Sequence, residues 1–107
     1  MDLKQYAIVL VNLDPTIGSE IKKTRPCVII SPNEMNTYLN TIVLAPMTTN
    51  LKKYPTRVAV NHHGKKGMIA IDQIQTVDKS RIIRVFEKLT ETEIAKCKEV
   101  IKEAFND

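Results

Sequence analysis

Residues 1–107 read as one mainly β domain, a compact small barrel carrying a single C-terminal helix. Three features predict this. The apolar residues fall in short runs, too short for buried helices. Turn residues punctuate them at Asn12–Pro15, Pro46, His63-Gly64 and Gly67. Only after Thr90 does the apolar spacing change from strand to helix period.

In chain order, residues 6–11 form an almost continuous apolar run, the mark of a strand buried on both faces, and Asn12-Leu13-Asp14-Pro15 ends it. Residues 16–24 are a polar loop around Gly18. Residues 27–31 make the second strand, entered through Pro26, which fixes φ where no ladder donor is needed. Ser31-Pro32-Asn33-Glu34 starts a helical turn or loop ending near Asn40. Residues 41–45 are the third strand, with Pro46 as its expected stop. Residues 57–60 alternate polar and apolar side chains and predict a half-exposed strand. Residues 61–67 form the tip of a hairpin, 68–72 the return strand and 82–86 the last strand, five or six in all. Thr90 and Glu93 make a capping box, and Ile94, Cys97, Ile101, Ala104 and Phe105 share one stripe of a helix about four turns long.

Composition narrows the function classes. No apolar run approaches the ~18 residues that span a bilayer, and the first strand is followed by Asn12 and Asp14 without a small-residue cleavage site, so a cytoplasmic protein is expected. Cys27 and Cys97 stand 70 positions apart with no Cys-x-x-Cys or Cys/His spacing. Buried free thiols are expected, with a disulfide as the alternative, and neither metal nor cofactor is implied. The sequence has no cluster of acids of the kind a two-metal nuclease needs. Aromatic residues make up 5% of the chain, too few for a base-stacking platform.

Charge is unevenly distributed. Between Lys22 and Lys66 stand eight Lys/Arg residues and one acid, Glu34, a local net charge of +7 where the rest of the chain carries −3. Such a segment is a face for a polyanion or simply a solvated, Lys-rich surface. Two strand ends favour the first reading. Lys22-Lys23-Thr24-Arg25-Pro26 leads into one strand, and Pro46-Met47-Thr48-Thr49-Asn50 ends another. A guanidinium on one strand and two hydroxyls on another can hold a phosphate between them, because arginine presents a planar fork of donors and stays charged at any working pH.

These residues resemble the MazF/PemK family of toxin endoribonucleases, whose fold is an SH3-like barrel shared with CcdB-type toxins. The likeness covers nearly the whole chain. It rests on Leu13-Asp14-Pro15, Gly18-Ser19-Glu20, Lys22 to Pro26, Ala45 to Thr49, and Asp72 to Arg81 in that order and spacing. The chain departs from many relatives in lacking Trp in the first strand and in having Gln75 where Arg or Lys is common. The resemblance implies a homodimer that cuts single-stranded RNA at short sequences without a metal. The ribose 2′-hydroxyl is the nucleophile, and 2′,3′-cyclic phosphate and 5′-hydroxyl ends result. It implies Arg25 and Thr48 as catalytic residues, and an antitoxin whose acidic tail covers the RNA groove. Ser19, Glu20, Lys22, Lys23, Thr49, Asp72 and Gln73 are the candidate RNA contacts.

Each candidate has a plainer reading. Arg25 alone would be a surface ion pair with Glu20, and Thr48 alone a hydroxyl capping a turn. Asp72 and Gln73 either read base edges or satisfy their own turn, and Arg81 is expected to close the barrel by pairing with Asp78 or Asp72. His62-His63 invites acid–base chemistry, but neighbours on an extended strand point to opposite faces and Gly64 marks a turn tip, so a solvated loop within reach of RNA phosphate is expected. Arginine is a poor proton acceptor or donor at neutral pH, which makes Arg25 chiefly an electrostatic stabiliser. Two rival functions keep the barrel without the chemistry: a CcdB-like binder of a topoisomerase, and a non-catalytic RNA-binding barrel.

Overall fold

The computed structural model describes residues 2–13 and 23–106. Ser19, Glu20 and Lys22, with the rest of the 16–22 loop, lie outside the described residues. The element order is β1 (Ala7–Asn12), β2 (Thr24–Ile29), α1 (Asn33–Tyr38), β3 (Thr41–Thr48), β4 (Arg57–His62), β5 (Lys65–Ala70), β6 (Gln75–Asp78), β7 (Ile82–Lys88) and α2 (Glu91–Phe105), with 3₁₀ turns at Ile71–Gln73 and Lys79–Arg81. The strands follow the spatial order β4-β5-β3-β2-β1-β7, all neighbours antiparallel, and β6 also pairs with β3. The sheet curls into a half-barrel against α2. Among the described residues no helix is long and apolar enough to cross a membrane.

Alternation along β1 explains the curl. Tyr6 and Ile8 enter one core with Val28, Met47, Val58, Ile69, Cys97 and Val100. Ala7, Val9 and Val11 enter a second core with Cys27, Ile29, Ile42, Leu44 and Val77. Both faces of the strand are buried, as its unbroken apolar run predicts. Cys27 and Cys97 are buried free thiols. Burial pushes each up to about 12, only partly opposed at Cys27 by the nearby Arg25 charge and reinforced at Cys97 by Glu93.

Pro46 does not stop β3. The strand pairs with β6 as far as Leu44 and with β5 from Met47, so that edge asks nothing of Pro46, while Cys27 faces it across β2. The proline stands where β3 passes from one neighbour to the next. β6 itself was not expected, because Gln75, Thr76 and Asp78 are polar and exposed and Val77 alone is buried.

The capping box forms as expected: the Glu93 amide donates to Thr90 Oγ1 at 3.2 Å, and the Thr90 amide to Glu93 Oε1 at 2.9 Å. Glu93 Oε2 also accepts from the Asn61 amide at 3.1 Å, which ties the start of α2 to β4. The helix stripe is shorter than its spacing implies. Val100 joins Cys97 in the core, whereas Ala104 and Phe105 are exposed.

Candidate functional site

Arg25 and Thr48 come together through register. The β2–β3 ladder pairs Ile29 with Leu44, Val28 with Ala45 and Cys27 with Pro46. Two residues further along the same register, Arg25 falls opposite Thr48. Beyond the last ladder pair the strands part: Arg25 stays beside Val11 on β1, while Thr48 pairs with Met68 on β5. A cavity of about 260 Å³ opens there, lined by Thr24, Arg25, Pro26, Met47, Thr48, Thr49, His62, Lys65, Lys66 and Gly67.

Its electrostatics are one-sided: among the described residues the lining carries Arg25, Lys65 and Lys66 and no carboxylate. Pro26 and Met47 supply an apolar floor, which lowers the local dielectric and strengthens the field of the cations. Thr48 Oγ1 accepts from the Asn50 amide at 3.2 Å. That is the turn-capping role, and it leaves the hydroxyl proton to donate to a ligand. Gly67 makes this wall thin: a Cβ built there would lie 3.1 Å from the Thr48 carbonyl oxygen.

The candidates separate. Arg25, Thr48 and Thr49 line the cavity, and Lys23 is exposed just outside it, its carbonyl accepting from the Leu13 amide at 2.9 Å. Asp72 and Gln73 do not line it. Asp72 Oδ1 accepts from Arg57 Nε and from Thr56 Oγ1, both at 3.0 Å. Slight burial would raise its pKa, but these two bonds, its own amide and the Arg57 charge hold it below the usual carboxylate range. Arg57 therefore occupies one partner expected for Arg81. Arg81 donates to the Asn12 carbonyl at 3.3 Å, and its charge helps lower Asp78, the other expected partner, after the Ser80 amide and hydroxyl.

The β4–β5 hairpin is the part of the site that sequence reasoning missed. Lys65 and Lys66 were counted in the basic segment, but their approach to Arg25 depends on β5 pairing with the far end of β3. The histidine expectation holds for His63, exposed at the turn, and is corrected for His62, a half-buried residue of β4. β4 and β5 close through His63-Gly64, with φ of 52° and 76°, the positive pair of a type I′ turn. His63 therefore leaves the strand, and the alternation rule does not apply to it. The two rings meet at 4.2 Å, His62 lines the cavity, and Glu87 on β7 faces both. The Glu87 backbone amide, opposed by slight burial and helped by both imidazoles, holds that carboxylate low.

The comparisons agree with this architecture. The family profile described as PemK-like, MazF-like toxin of type II toxin–antitoxin system matches residues 4–105. A protein named endoribonuclease MazF, from Staphylococcus saprophyticus, is 37% identical over 104 residues, covering 92% of this chain and 84% of that protein. A MazE–MazF structure from Deinococcus radiodurans superposes with a TM-score of 0.81 at 21% identity, covering 97% of this chain and 96% of the other. An endoribonuclease in complex with its cognate antitoxin from Mycobacterial species gives 0.81 at 20% identity, covering 94% and 92%. The chain belongs to the PemK-like, MazF-like family of type II toxin–antitoxin toxins.

Proposed function

We propose that this protein is an endoribonuclease that cleaves single-stranded RNA by attack of a ribose 2′-hydroxyl on the adjacent phosphorus. The new bond closes a 2′,3′-cyclic phosphate and the bond to the 5′-oxygen breaks. The 2′ proton passes to solvent, and the leaving oxygen takes one up. The observation that carries this reading is the cavity where one guanidinium, two lysines and two threonine hydroxyls from Thr48 and Thr49 converge.

Arg25 directs its fork of donors at the phosphoryl oxygens, where charge grows as phosphorus becomes pentacovalent; losing one such donor costs about 3–4 kcal/mol of barrier. Thr48 donates its hydroxyl to the same phosphate. Lys65 and Lys66 hold flanking phosphates by charge. Three fixed cations in the cavity lining favour chemistry by fixed charge. The family further supports a homodimer and an antitoxin with an acidic tail that would lie on the same basic surface. Lys23, Thr49 and the loop residues Ser19, Glu20 and Lys22 are proposed RNA contacts; Asp72 and Gln73 are proposed as more distant ones.

The test is a long mixed-sequence RNA incubated with antitoxin-free protein in excess EDTA. Discrete cuts with 2′,3′-cyclic phosphate ends are expected. RNA left intact by folded protein across several pools would refute the proposal and favour a protein-binding barrel.

A further inference from the structure

We propose that His62, His63 and Glu87 form a binding site for one divalent cation of the zinc class, at the rim of the basic cavity. His62 Nδ1 lies 3.1 Å from Glu87 Oε1, and His63 Nε2 lies 3.5 Å from Glu87 Oε2. The three residues offer ligand atoms all within 4.8 Å of one another. A tetrahedral zinc ion bonded at ~2.0–2.1 Å keeps its ligands about 3.3 Å apart. Both observed separations lie near that value, but they end on different oxygens of the carboxylate, so an ion held through one oxygen requires a small adjustment of one ring. The His63 ring, whose side chain is 57% exposed, has the freedom to make it.

The fold supplies the preorganisation. The positive φ at His63 turns its ring back toward His62. Phe86 backs both imidazoles, with ring centres at 4.9 and 5.5 Å. Spacing rules applied to the sequence could not find the set, because Glu87 arrives from β7, 24 residues beyond His63.

Two imidazoles and a carboxylate suit zinc and its borderline neighbours better than magnesium or calcium, which prefer oxygen donors. The two cysteines do not compete, since both thiols are buried. Charge opposes tight binding: Arg84 lies over Phe86 at 5.1 Å, and Arg25, Lys65 and Lys66 share the cavity with His62. Micromolar affinity is therefore expected. Three protein ligands leave a fourth position for water. Occupancy ties the hairpin that carries Lys65 and Lys66 to β7, so the ion steadies one wall of the cavity.

The site is tested without RNA, so its failure and that of the endoribonuclease reading are separable. Zinc chloride is titrated calorimetrically into tag-free protein at neutral pH, with magnesium chloride as control. Wild type is expected to take up one zinc ion, to ignore magnesium and to melt several degrees higher with zinc. Glu87→Gln and His63→Asn should each weaken binding on the order of tenfold or more, since both remove a ligand. Asparagine tolerates the positive φ, so His63→Asn keeps the turn and decides the matter if Glu87→Gln does not fold. Absence of saturable zinc binding by wild type, or unchanged binding by His63→Asn, would overturn the proposal.

Discussion

Two glycines in one hairpin should fail in opposite ways. A methyl group at Gly67 would sit 3.1 Å from the Thr48 carbonyl oxygen, with Val60 Cγ1 at 3.9 Å. The tight partner is backbone, so relief requires Thr48 to move by a few tenths of an ångström. A 1 Å displacement in an active site costs about 10²-fold in rate. On a logarithmic scale, a shift of ~0.3 Å costs about fourfold. Gly64 has φ of 76° and nothing within 4 Å of a built Cβ, so Gly64→Ala meets no neighbour but pays about 1–2 kcal/mol for the left-handed backbone. For a domain near this size, that lowers the melting temperature by about 4–8 °C per kcal/mol. The assay is single-turnover cleavage of a short RNA beside a thermal melt in EDTA. Gly67→Ala should lose rate with little change in melting, and Gly64→Ala should lose stability with rate nearly kept. Full activity in a folded Gly67→Ala protein would refute the placement of Thr48 at the reacting phosphate.

Other outcomes follow from the same geometry. With thiols pushed up to about 12 and buried, Cys27 and Cys97 should not react with a chromogenic disulfide reagent in the folded protein at mildly alkaline pH, and both should react on unfolding. Asp72→Asn removes a partly exposed ion pair with Arg57 and should cost under about 1 kcal/mol. Because the folded-state pKa of Asp72 is lowered, its contribution is present above the unfolded carboxylate pKa of ~3.9 and is lost as pH falls through the lower folded value, so wild type and Asp72→Asn should converge in acid melts. Lys65→Ala and Lys66→Ala should each reduce the slope of log affinity for a single-stranded RNA against log salt by about 0.7, measured on Arg25→Ala protein to prevent cleavage.

Legibility in the sequence followed the range of the interactions. β1 and the α2 capping box were readable because an apolar run and a Thr-to-Glu spacing act within a few residues. β6 was not, since a polar strand is recruited by the open edge of β3 and has one apolar anchor, Val77. Pro46 misled because a missing donor matters only where a neighbour would use it. The end of α2 misled because periodicity says which face is apolar and not whether anything covers its last turn. Within the site, the strand ends carrying Arg25 and Thr48 were visible as chemistry, and their roles came from the resemblance. The third wall, from Lys65 to Gly67, required knowing that β5 crosses to β3. The turn at His63-Gly64 was legible from Gly64, but the meeting of the two rings with Glu87 was not, since Glu87 arrives from β7.

The most direct test of the account compares wild type with Arg25→Ala, Arg25→Lys and Thr48→Val in single-turnover cleavage of one mapped RNA site in EDTA. If fixed charge at a shared phosphate drives the reaction, Arg25→Ala should fall by about 10²–10³-fold. Arg25→Lys should recover only part of that loss, because a point charge replaces the fork. Thr48→Val should fall well beyond the few-fold expected of a surface hydroxyl, with all three variants melting near wild type. Cleavage by folded Arg25→Ala at the wild-type rate would contradict the account.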